Sequence, residues 1–169
     1  MTDVKHVQLS RTDWGIAADG DHAEYDVPQC APGTPVSECT HTITGTWTPV
    51  RAKTHASNVS TRLIASHAHC HAPTCIRVDM YNNDTGKLIC RQEPIYGASA
   101  SDSRAASLGK SFNEPGYIAT PPCLWGSAAD GLEEPPVMDG VTIKVIAVTN
   151  NTYGHHGEMA LPEVSLAKY

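Results

Sequence analysis

The sequence predicts an all-β protein: one antiparallel β-sandwich, jelly-roll-like, occupying residues 1–169 with an irregular N-terminal lead-in over 1–38. Three observations predict it. Short runs of alternating or β-branched residues recur along the chain, 13 glycines and 12 prolines punctuate them at close intervals, and only one segment has a composition that suits a helix.

The elements follow in order. The lead-in carries Pro28, Pro32 and Pro35, with Cys30 and Cys39 placed to strap it down. Residues 40–48 (THTITGTWT) alternate between small polar and larger apolar side chains, the pattern of a strand with one face buried. Residues 59–66 (VSTRLIAS), 75–81 (CIRVDMY) and 141–149 (VTIKVIAVT) read as further strands. The stretch VDMYNNDTGKLICR reads as a hairpin, in which residues 82–86 supply the turn. Residues 98–110 (ASASDSRAASLGK) suit either a helix or an exposed loop. No segment repeats at a fixed period and no low-complexity tract occurs.

A chain of 169 residues with 40% apolar content has room for one well-cored domain. Twelve basic against 18 acidic residues give a net charge of −6, which argues against a nucleic-acid or anionic-membrane surface because each needs a basic face. No apolar run reaches the length of a membrane span. The first residues, MTDVKHVQLSRTDWG, lack the basic-then-apolar order of a signal peptide, so any export signal is expected to be gone from this chain. The six cysteines (Cys30, Cys39, Cys70, Cys75, Cys90, Cys123) suit a disulfide framework. The close pairs Cys30/Cys39 and Cys70/Cys75 could each close a short loop and leave Cys90/Cys123 to tie distant segments. Spacing alone does not select among the connectivities. Three N-x-[ST] sequons, at Asn58, Asn83 and Asn150, point the same way as the cysteines, to an oxidising, secretory setting and a secreted protein.

The chemical signal is densest at residues 66–75, SHAHCHAPTC, within a chain that holds nine histidines. On a strand His67, His69 and His71 share one face, while Ala68 and Cys70 take the other. Adjacent same-face imidazoles lie about 7 Å apart along a strand, and nitrogens from two of them can converge on one ion at roughly 2 Å each. The outer two cannot readily share a metal without a bulge, so the expected site is one adjacent pair plus a ligand from another strand. The bland alternative is a polar surface strand with three solvated histidines. Near the C-terminus, NNTYGHHGEM places His155, His156, Glu158 and Met159 in one segment. Thioether plus imidazole is a soft ligand set that favours copper(I), with zinc as the alternative.

At these residues the chain resembles a family. His69-Cys70-His71 is followed by Leu88-Ile89-Cys90, Pro94-Ile95-Tyr96-Gly97, Asn113-Glu114-Pro115-Gly116-Tyr117-Ile118 and Pro122-Cys123. The last match is Tyr153-Gly154-His155-His156-Gly157-Glu158-Met159. This order resembles the stress up-regulated Nod19-like proteins over roughly residues 30–160, and these are similar in turn to the C-terminal copper domain of peptidylglycine α-hydroxylating monooxygenase. The resemblance implies a β-sandwich, bridges Cys30–Cys39 and Cys90–Cys123, and a copper held by His69, His71 and Met159. His67 has no clear counterpart and would replace or supplement one of them. A second copper domain that delivers electrons in the monooxygenases has no room in this chain.

Three function classes follow. The first, ranked ahead, is a mononuclear copper oxidase or monooxygenase acting on a small organic substrate, with His67, His155 or His156 as extra ligand or acid–base group. The second is a metal-assisted, non-redox cyclase, dehydratase or lyase. There His155, His156 and Glu158 transfer protons while Tyr96, Tyr117 and Trp125 line an apolar pocket. The third is a secreted copper-binding stress protein without turnover. The sequence sets no oligomeric state. It also lacks G-x-S-x-G, a phosphate-binding P-loop and H-E-x-x-H.

Overall fold

A computed structural model describes residues 5–7, 24–49, 60–109 and 112–168. Twelve strands are present among them: β1 (Lys5–Val7), β2 (Tyr25–Val27), β3 (Thr40–Trp47), β4 (Thr61–Cys70), β5 (Cys75–Asn82), β6 (Leu88–Gln92), β7 (Ile95–Tyr96), β8 (Ile118–Ala119), β9 (Cys123–Leu124), β10 (Ile143–Asn150), β11 (His155–Glu158) and β12 (Ala160–Lys168). They form two four-stranded sheets, in the orders β1-β12-β4-β9 and β3-β10-β5-β6, with two-stranded ribbons β11-β2 and β7-β8 beside them. All pairings are antiparallel. The protein is all-β, as the turn-punctuated alternation predicts.

The core lies between the two sheets. Leu63, Met80, Met138, Ile143, Val145 and Leu166 are fully buried there. On β10 the inward row Ile143, Val145, Ala147 alternates with Lys144 and Ile146, so period-two patterning is what aims this strand at the core. The hairpin forms where expected: β5 pairs with β6, Asn82 Oδ1 accepts from the Asp84 and Thr85 N–H groups at 3.0 and 2.9 Å, and Gly86 takes φ 70°.

Cysteine chemistry then ties the layers. Cys70–Cys75 joins the end of β4 to the start of β5, and Cys90–Cys123 joins β6 to β9. Each therefore links one sheet to the other. Cys30–Cys39 closes the segment that leads from β2 into β3.

Some boundaries differ from expectation. The strand read over 59–66 runs instead over Thr61–Cys70, and so takes in His67 and His69. Segment 98–110 is neither a full α-helix nor a plain loop: Ser103–Leu108 is a 3-10 segment, with Asp102 capping the Arg104 N–H at 2.9 Å. The lead-in holds two short strands, β1 and β2; the sequon at Asn58 lies outside the described residues.

A bulge on β4 decides which face the histidines take. Leu63 pairs with Leu166 and Ala65 with Ser165, so Ile64 is the extra residue. Before it the odd-numbered Leu63 points inward; after it Ser66 and Ala68 are buried while His67 and His69 are exposed. One inserted residue flips the side-chain phase of everything downstream. Without it the histidines would face the core.

Candidate functional site

The site assembles where β4 runs out. His67 and His69 stand on the outer face of the first sheet, paired across to Glu163 and Leu161 on β12. β4 ends at Cys70, so His71 is the first residue of the turn rather than a third strand position. Its ring still meets that of His69, with centroids 5.5 Å apart and planes at 81°. Two imidazoles this close can each offer a nitrogen to one ion. His67 is one same-face step back along β4 from His69.

Met159 sits between β11 and β12. The last pair of the β4–β12 ladder is Cys70 with Ala160, so Met159 and His71 each lie one residue beyond it. Its side chain is half-buried and packs against the core. Met80 and Met138 are fully buried and all six cysteines are oxidised. Among the described residues, Met159 is thus the one sulfur neither fully buried nor in a disulfide. No three His, Cys, Asp or Glu side chains group as a metal site among the described residues.

Glu158 organises the turn. It is wholly buried, and a buried carboxylate needs donors for its lone pairs. The His71 backbone N–H donates to Oε1 at 3.0 Å, while the Thr74 hydroxyl and His155 Nε2 meet Oε2 at 2.6 and 2.8 Å. Gly157, at φ 78°, lets β11 bulge so that His155 and Glu158 converge. Behind them Tyr96 donates to the Cys75 carbonyl at 2.7 Å. Burial, and then the Glu158 charge, push its hydroxyl up to about 12. His156 faces outward, bonded to Asp26 at 2.7 Å with both side chains exposed.

Of the expected residues, the structure brings His69 with His71 and His155 with Glu158, linked through the His71 backbone and Thr74. His156 stands at the rim of the same groove, a space of 710 Å³ between the turn 71–74 and the loop 152–156. Tyr96, Tyr117 and Trp125 do not line this groove: Tyr117 packs on Phe112 at 5.2 Å and Trp125 against the core. Thr74 carries no role in the sequence reading, and Tyr153 enters it only as the first residue of the Tyr153–Met159 match. No local pattern marks Thr74, whose role comes from a partner 84 positions away. Tyr153 has a weak signal, an aromatic between Thr and Gly in a loop.

Comparison with known proteins returns nothing: no family model, no curated protein and no solved structure matches the chain.

Proposed function

We propose that this protein binds copper through His69 and His71, with Met159 as the soft third donor, and that it is an oxidoreductase acting on a small organic molecule. The observation that carries the reading is the His69–His71 ring pair at 5.5 Å, beside the residue step that holds Met159. When bound, copper supplies one-electron redox chemistry there. The chain's own residues do the rest. Glu158 holds His71 and His155 in place, the groove beside His71 receives the substrate, and His155 moves protons at Nε2 or Nδ1. Three disulfides point to an oxidising compartment, and secretion is the setting proposed for it.

The His155–Glu158 pair at 2.8 Å favours a second reading, metal-assisted proton transfer without redox. Metal content and oxygen dependence separate the two. Copper with reductant-dependent oxygen uptake supports the first; zinc, or turnover that survives anaerobiosis, supports the second. A saturated copper site with no turnover leaves a binding protein. His69→Ala and His71→Ala are each expected to abolish stoichiometric copper binding, read by elemental analysis, while thermal unfolding stays cooperative. Met159→Leu is expected to weaken Cu(I) and spare Cu(II). Equal loss of both removes Met159 from the ligand set.

A further inference from the structure

We infer that the groove beside His71 is a binding site for a neutral saccharide. From the proposed function the inference takes only that this groove receives an organic ligand, and its test uses metal-free protein so that the two fail separately.

The groove is built before any ligand arrives. One wall is the turn 71–74, closed by Cys70–Cys75 and fastened to buried Glu158 through the His71 N–H and the Thr74 hydroxyl. The other is the loop 152–156. There Cys30 donates to the Asn151 carbonyl and Asn151 to the Cys39 carbonyl, each at 2.9 Å, and Cys30–Cys39 locks that pair. Gln29 Nε2 adds a bond to the Thr152 carbonyl at 3.1 Å. Two disulfide-pinned walls lower the ordering cost of binding. The volume of 710 Å³ falls within the range of about 300–1,000 Å³ typical of small-molecule sites.

The lining selects the ligand class. It includes no Lys, Arg, Asp or Glu. Glu158 is sealed beneath it, and the two imidazoles of the loop wall each already meet a carboxylate, His155 with Glu158 and His156 with Asp26. A phosphate or carboxylate ligand would find no fixed counter-charge, and binding a charge without one is costly. The apolar share is flat: the Tyr153 ring, 78% exposed, with Val36 and Pro73. Beside it are groups that both give and take hydrogen bonds. Asn150 Oδ1 accepts from the Thr152 N–H at 2.9 Å, which leaves its amide N–H groups for a ligand, and His156, bonded to Asp26 through Nδ1, adds its Nε2. A purely apolar ligand would leave these groups dry. A sugar ring matches both halves, with a flat C–H face for the aromatic ring and hydroxyls that donate and accept at its edge.

The test uses protein from a host without N-glycosylation, because Asn150 belongs to a sequon. Cellotriose, maltotriose and chitotriose are titrated by calorimetry and saturation-transfer NMR, against trigalacturonate as anionic and p-cresol as apolar comparator. At least one neutral trisaccharide is expected to bind metal-free protein, with saturation transferred to its ring C–H protons. Tyr153→Ala is expected to weaken it about tenfold, and Tyr153→Phe to restore it; exposure of Tyr153 keeps both variants folded. The inference is overturned if none of the three binds, if Tyr153→Ala binds as tightly as the parent, or if trigalacturonate or p-cresol binds more tightly. Saccharide binding without copper binding overturns the metal reading alone.

Discussion

Asp79 on β5 and Glu158 on β11 are both buried carboxylates, at 1% and 0% exposure, and they are held by opposite chemistry. Asp79 sits between two guanidiniums on the outer face of the second sheet. Arg91 Nε and Nη2 reach its two oxygens at 2.7 and 2.9 Å, and Arg77 Nε adds a bond at 3.1 Å. Arginine stays charged at any working pH, so this cluster is a fixed brace across β5 and β6. Glu158 has no arginine or lysine among its bonded partners; it holds a backbone N–H, a hydroxyl and an imidazole. Fixed countercharge makes a brace across two strands, whereas Glu158 fastens a turn and a loop through hydrogen bonds beside a groove.

The largest expected effect tests the Glu158 half. Glu158→Ala removes the shared acceptor of the part-buried His71 N–H and Thr74 hydroxyl. Each buried donor left unsatisfied costs about 1–3 kcal/mol, so a loss of about 3 kcal/mol is expected in urea unfolding. Glu158→Gln keeps one carbonyl oxygen and is expected to lose less. Should Glu158→Ala unfold with the parent's midpoint, Glu158 does not position the turn.

Asp79→Asn comes next. The side chains of Arg91 and Arg77 are 46% and 39% exposed, so both can turn to water once the charge is gone. A smaller loss follows, about 1–2 kcal/mol. Its pH signature is distinctive. Burial alone would raise the Asp79 carboxyl, but bonds and charges from Arg91 and Arg77 outweigh it and hold the group below its ordinary range. A carboxyl depressed in the fold contributes stability above its unfolded value, about pH 4, and loses it as the pH falls through the folded value. The parent's unfolding midpoint is therefore expected to drop on acidification below about pH 4, with Asp79→Asn much flatter there. Parallel acid limbs would show that the brace is not electrostatic.

The two halves were not equally legible. The strands around Asp79 follow from alternation in CIRVDMY and VTIKVIAVT, and the hairpin from NNDTG, because these signals are local. Arg77, Asp79 and Tyr81 even share a face by period two. The Glu158 half depends on contacts that no window shows. Sharing a face also said which histidines go together, but not whether that face looks out. The bulge at Ile64 decides that, and Ile64 reads as an ordinary strand residue. His155 and Glu158 were picked out by composition alone, three residues apart. Thr74, 84 positions distant from Glu158, carried no mark. Cys70–Cys75 was visible as a close pair, yet its role as a link between sheets needed the topology.

The smallest effect asks how far the Glu158 charge reaches. Tyr96 bonds the Cys75 carbonyl at 2.7 Å, and burial together with Glu158 moves its hydroxyl from 10.0 to about 12. A group raised in the fold gives stability that is whole below its unfolded value and fades as the pH climbs to the folded one. Between pH 10 and about 12 the unfolded chain ionises at this tyrosine while the folded chain does not, so the parent is expected to lose stability across that window. Tyr96→Phe gives up one hydrogen bond, about 1 kcal/mol at neutral pH, and is expected to lack that tyrosine's share of the alkaline loss. In Glu158→Gln the tyrosine absorbance titration should shift downward only slightly, because burial is the larger cause. A large downward shift would mean that the carboxylate, and not the packing around the ring, governs this side of the site.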